Sequence, residues 1–154
     1  LLKLVEKHSS REYTLELFEI IAEHENTTTR VVDAIVIMIG DNADFSLINS
    51  IITSGKASRK VLDKFKDVES NSVQEHLELA YLKDDLAKMK TFSEFKSLID
   101  LLSDDINPTN HAKRFLVASN SSTPKEILEI LLDDSHKHVA DAALVNLSNH
   151  LHNP

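Results

Sequence analysis

The stretch Leu116-Val117-Ala118-Ser119-Asn120-Ser121-Ser122-Thr123-Pro124-Lys125-Glu126-Ile127-Leu128 decides how the whole chain is read. An apolar run fades into small and polar residues, and a Thr-Pro pair then opens a second apolar run. Proline is tolerated at the first helical position, where its missing N–H would lack a partner anyway. Thr123 with Glu126 has the spacing of a capping box, in which two side chains satisfy each other's free backbone N–H groups. The stretch therefore predicts one helix closing near Ser119 and a second running over 123–133.

Working outward, the same punctuation recurs. Ser9/Glu12, Ser72/Glu75 and Thr91/Glu94 repeat the capping-box spacing, each ahead of an apolar-periodic run, and Asn107-Pro108 opens another. Gly40 follows Val36-Ile37-Met38-Ile39 and Gly55 follows Ile51-Ile52-Thr53-Ser54, where a helix C-terminus calls for positive φ. These signals divide the chain into helices at 1–7, 10–24, 28–39, 43–54, 57–67, 72–89, 92–103, 108–119, 123–133 and 136–148. Leu15, Phe18, Ile21 and Ala22 fall on one helical face, as do Phe95, Leu98, Ile99 and Leu102. The β-branched run Val31 to Ile39 lacks the alternation of a strand and reads as a helix buried on most sides.

Laid on itself at an offset of 29 residues (98 onto 127), the chain places Leu98, Leu101, Leu102, Asp104 and Asp105 on Ile127, Ile130, Leu131, Asp133 and Asp134. Phe115, Leu116, Ser119 and Asn120 fall on Leu144, Val145, Ser148 and Asn149, so two hairpins share a pattern of core positions. Val31-Val32-Asp33-Ala34, Val61-Leu62-Asp63-Lys64 and Val139-Ala140-Asp141-Ala142 read as one position in three hairpins. A period near 30 belongs to stacked helix pairs, in which no pair buries its apolar face alone. The fold expected is all-α: a right-handed, α-solenoid-like stack of antiparallel hairpins with about nine or ten helices. Residues 1–154 form either one helical-repeat domain or two sub-stacks, 1–67 and 91–154. In the second case helix 72–89, which does not fit the period, joins them.

Ala118, Asn120, Thr123, Pro124, Leu128, Asp133 and Val139 carry a resemblance to the variant leucine-rich repeat, a relative in shape of HEAT and armadillo arrays. Ala140 stands where that pattern usually has Arg, and the match covers about a quarter of the chain. The resemblance implies a helical stack used for contacts and no activity.

Composition narrows the chemistry. Only 2 Gly and 3 Pro are present, too few for the turns of a β-sandwich or a Gly-rich phosphate loop. The lack of Cys removes thiolate metal sites and cysteine nucleophiles and fits a reducing compartment, here read as the cytoplasm. No apolar run approaches the roughly 20 residues of a membrane span. The chain opens at Leu1 and reads as a piece of a longer protein. A net charge of −8 argues against a dedicated nucleic-acid binder. His136/His138 and His150/His152 lie two residues apart, a spacing that does not share a helical face, so no metal or cofactor is expected. No Gly-x-Ser-x-Gly elbow frames a nucleophile, and the chain is not expected to be an enzyme.

Two surfaces stay in view. Glu23, Glu25, Asp104, Asp105, Asp133 and Asp134 fall in turns between paired helices and predict an acidic ridge for a protein partner with a basic segment. Lys56, Arg59, Lys60, Lys64 and Lys66 form the one basic stretch and the alternative, a phosphate- or nucleic-acid-binding face. The favoured function is a non-catalytic protein–protein interaction or scaffold module.

Overall fold

The computed structural model describes residues 11–40, 43–104, 107 and 109–152, with side chains placed between 15 and 150. The expected helix 1–7 and the Ser9/Glu12 box lie outside the described residues. The described part is all-α and contains no strand. Its helices are α1 (Arg11–Glu23), α2 (Thr29–Ile39), α3 (Phe45–Thr53), α4 (Arg59–Leu62), α5 (Asn71–Leu86), α6 (Phe92–Leu101), α7 (Asn110–Ser119), α8 (Lys125–Leu131) and α9 (Lys137–His152). The chain divides into two compact units, one ending at Ala80 and the other beginning at Tyr81, so the division falls within α5.

Four helix–turn–helix junctions carry one burial pattern. Ala22, Ile52, Leu86 and Ala118 are buried near the end of the first helix of each. Five positions on stand Thr27, Ala57, Thr91 and Thr123, and thirteen positions on the buried Ile35, Phe65, Ile99 and Leu131. Ile52 and Leu86 are 34 residues apart against 30 between Ala22 and Ile52, so the segment 72–90 lies in the longest of these intervals. The proposed echo of Val31 with Val61 and Val139 is out of register by comparison. Val31 is exposed whereas Val61 and Val139 are buried, and in α2 it is Val32 that turns inward.

In the N-terminal unit α1 packs on α2 and α3. Helix α2 buries Val32, Ile35, Val36 and Ile39, while Ile37 is 69% exposed, so it buries one face rather than most sides. Gly40 and Gly55 both take positive φ, at 57° and 65°, as their places at helix ends require. The expected helix 57–67 is shorter: α4 tightens into a 3-10 turn over Asp63–Phe65. The Gln74 side-chain amide donates to the carbonyls of Phe65, Lys66 and Val68 and ties down that end. The start of α5 is also shifted. Its cap is Ser70, whose hydroxyl accepts from the Val73 N–H at 3.5 Å, rather than Ser72.

In the C-terminal unit α7 packs along α9 and α6 against α8, so alternate helices share a layer. Phe95, Ile99, Val117, Leu128, Leu131 and Val139 fill the space between, with Leu98 partly buried beside them. Leu101/Ile130, Leu102/Leu131 and Phe115/Leu144, related by the 29-residue offset, agree in exposure, whereas Leu98 is half-buried and Ile127 buried, and several residues expected as core face outward. Leu101 and Ile130 are exposed, as are Phe115, Leu144 and Val145.

The Thr91/Glu94 box is complete. The Thr91 hydroxyl accepts from the Glu94 N–H, and the Glu94 carboxylate accepts from the Thr91 N–H at 2.8 Å. The backbone N–H groups of Lys90 and Thr91 and the Thr91 hydroxyl hold the Glu94 carboxyl below its ordinary pKa. A depressed carboxyl contributes stability above the unfolded pKa, and that contribution disappears as pH falls through the folded one. Thr91→Ala should therefore lower the melting temperature at pH 7, with a gap from the parent that narrows below roughly pH 4. A gap independent of pH would show that the carboxylate gains nothing from the Thr91 hydroxyl, the one donor of the three that this substitution removes.

Candidate interaction groove

The α8–α9 turn is built around a buried charge. Arg114 projects from α7 at 4% exposure. Its Nε donates to Asp134 Oδ2 at 2.6 Å, its Nη2 to Asp134 Oδ1 at 3.2 Å, and its Nη1 to the Leu102 carbonyl at 2.7 Å. One guanidinium thus satisfies the end of α6 and neutralises an acid just past the C-terminus of α8, where the helix dipole disfavours negative charge. Asp134 also accepts from the His136 backbone N–H at 2.9 Å, leading the chain into α9.

The same guanidinium orients an imidazole. Arg114 Nη2 lies 3.3 Å from His136 Nδ1. Arginine only donates, so a hydrogen bond here requires Nδ1 to accept. The His111 ring stacks on His136 with centroids 4.7 Å apart and planes 8° from parallel. At the opposite end of α7 the Thr123 hydroxyl, fully buried, donates to the Val117 carbonyl at 2.6 Å. Thr123 therefore closes α7 rather than forming the expected box with Glu126, and Thr27 closes α1 in the same way through Ile21. Asn146 of α9 donates to the carbonyls of Ala118 and Asn120 at 2.9 and 2.8 Å, pinning α9 to the end of α7.

These contacts hold α7 and α9 side by side with a groove of about 840 Å³ along their shared face. Ala112, Ala142, Phe115 and Val145 line it, together with His111, His136 and His138 and the polar Ser119, Ser121 and Asn149.

Of the acids expected to form a ridge, Asp134 is withdrawn from the surface. Asp134 is 6% exposed and consumed by Arg114, so no partner reaches it. Asp104 and Asp133 are exposed in turns of the C-terminal unit, and Asp105 lies outside the described residues. Glu23 and Glu25 belong to the N-terminal unit, where Glu23 accepts from the Ser50 hydroxyl at 3.0 Å. In the basic stretch the Lys56 ammonium turns back to the carbonyls of Ala22, Glu23 and His24, completing the end of α1. Arg59, Lys60, Lys64 and Lys66 are exposed, opposite the buried Val61, Leu62 and Phe65. Sequence reasoning passed over Arg114 and His111. The available signal was an Arg at a position shared with Asn110, Val117 and Ala118 on one face, which places a charge in the core and calls for an acid.

Among the described residues no three His, Asp or Glu side chains cluster to hold a metal ion, and no helix is long and apolar enough to cross a membrane. Comparison with protein-family models, with characterised proteins and with solved structures yields no match.

Proposed function

We propose that the chain is a non-catalytic protein–protein interaction module of the helical-repeat kind, whose contact surface is the α7–α9 groove. The observation that carries this is the exposure of Phe115 and Val145, 43% and 63%, on a recessed face. Apolar side chains gathered in a groove mark contact sites, whereas scattered ones are ordinary. The recurring burial at four junctions and the alternation of helices between layers support the repeat reading and the likeness to the variant leucine-rich pattern. A location in the cytoplasm belongs to the same proposal. The contact thereby moves from the acidic turns to the groove.

The test is chemical crosslinking of the purified chain in cell extract, followed by mass spectrometry, with a Phe115→Asp/Val145→Asp variant alongside. Crosslinks between groove residues and a defined partner, lost in the variant at unchanged helicity, are expected. Identical crosslinks for both proteins would defeat the assignment. The second reading, phosphate or nucleic-acid binding, rests on the four exposed cations Arg59, Lys60, Lys64 and Lys66. Salt-sensitive retention on heparin, lost on neutralising them, would favour it instead.

A further inference from the structure

We infer that the α7–α9 groove takes a basic, apolar-anchored segment of a partner protein. The head of a Lys or Arg is received at Asp141, and an apolar side chain next to it rests on Phe115 and Val145. The inference rests on the interaction reading above and adds the chemistry of the occupant.

Charge decides the sign of the partner. The chain carries −8 overall, and its C-terminal unit, Tyr81 to Pro154, has 8 Lys and Arg against 11 Asp and Glu. The groove shares that bias. Among the described residues its lining holds the carboxylate of Asp141 and no Lys or Arg. Arg114 does not offset this, because it is buried and matched by Asp134. Lys137 meets Asp141 at 2.6 Å, but the two side chains are 84% and 55% exposed. An exposed pair of this kind is weakly held, and a carboxylate can accept from a second cation.

Hydrogen bonding points the same way. Asn146, 7% exposed, lines the groove and gives its amide hydrogens to the carbonyls of Ala118 and Asn120. What remains is its oxygen, which can only accept. Lys and Arg side chains only donate and so suit Asp141 and Asn146 alike, whereas a carboxylate would meet two acceptors. The hydroxyls, the other amide and any neutral imidazole of the lining both donate and accept, and favour neither sign.

Spacing sets the form of the segment. Asp141 and Val145 are four residues apart on α9 and therefore neighbours on one helical face. The cation and the anchor of the occupant are accordingly adjacent. A Lys or Arg stem lies along apolar surface while its head reaches a polar group, which suits a carboxylate set in an apolar lining.

The probe is a set of fluorescein-labelled nine-residue peptide pools, each with a central Leu or Phe and randomised flanks. The two residues next to the anchor are fixed as Lys-Lys, Gln-Gln or Glu-Glu. Binding to the full chain is read by polarisation at pH 7.5. The Lys-Lys pool should bind about tenfold tighter than the Glu-Glu pool. Asp141→Asn should weaken the Lys-Lys pool about threefold and leave the Gln-Gln pool unchanged. Glu129→Gln, which removes an equal charge from an exposed site outside the groove lining, should leave every pool unchanged. Phe115→Ser/Val145→Ser should abolish binding of every pool. All four positions are exposed, and circular dichroism checks that each variant keeps its helices. Groove-dependent binding that prefers Glu, or ignores charge, would overturn this inference and leave the interaction reading standing. So would a Lys preference that survives Asp141→Asn or falls equally in Glu129→Gln, since the attraction would then be general to an acidic chain. Binding unaffected by Phe115→Ser/Val145→Ser would overturn the groove as the site. No binding by any pool would count against both.

Discussion

Replacing Arg114 by methionine is expected to cost about 3–5 kcal/mol, read from the urea midpoint of the C-terminal unit. Methionine fills much of the volume of the arginine stem, so the loss reports charge and hydrogen bonds more than packing. The substitution strands the Asp134 carboxylate at 6% exposure and frees the Leu102 carbonyl at the end of α6. An ion pair of this kind adds little net stability relative to well-packed apolar residues, but removing one partner alone leaves a buried charge uncompensated. Asp134→Asn should cost less, about 1–3 kcal/mol, because the amide oxygen still accepts from the His136 N–H or the guanidinium. The double variant should cost less than the two single losses together, since each removes what the other leaves unpaired. Strict additivity would show that the pair is not coupled in solution.

Elements and their kind were legible in the sequence because their signals are local. The Thr91/Glu94 box and the two positive-φ glycines each act within a few residues, and the structure shows all three as expected. Boundaries failed where a distant group intervened. Gln74 reaches back to the carbonyls of Phe65, Lys66 and Val68 and tightens what reads as continuous helix. Thr123 had two uses for its hydroxyl, and the carbonyl of Val117 took it, an outcome settled by where α7 ends rather than by the Glu at 126. The acidic turns show the deeper limit. Asp104, Asp133 and Asp134 look alike in sequence, yet Asp134 is buried against a guanidinium that arrives from twenty residues upstream while Asp104 and Asp133 are exposed. The groove was invisible for the same reason. Its lining residues come from two helices, Ala112 and Phe115 from α7 and Ala142 and Val145 from α9, and pattern along one helix does not report what stands opposite. Periodicity likewise identified which residues are apolar without settling which of two apolar stripes turns inward.

That last ambiguity gives the second large expected effect. Phe95 and Leu101 lie on the same helix, α6, and both read as core material in sequence. The structure buries Phe95 completely, among Ile99, Leu128 and Leu131, and leaves Leu101 76% exposed. Phe95→Ala removes a ring from a close-packed site bounded by helices already fixed by Arg114 and Asn146, so collapse into the void is restricted. The expected loss is about 3–5 kcal/mol, enough to unfold the unit at moderate temperature. Leu101→Ala leaves no cavity and improves helix propensity slightly, so its effect should stay within about 0.5 kcal/mol. Ile130→Ala, related to Leu101 by the 29-residue offset and also exposed, should behave like Leu101. Thermal melts of the three variants rank them directly. A loss at Leu101 and Ile130 comparable to that at Phe95 would mean that this outer stripe is covered in solution. The groove would then have to share its standing as the contact surface with the opposite layer of the unit.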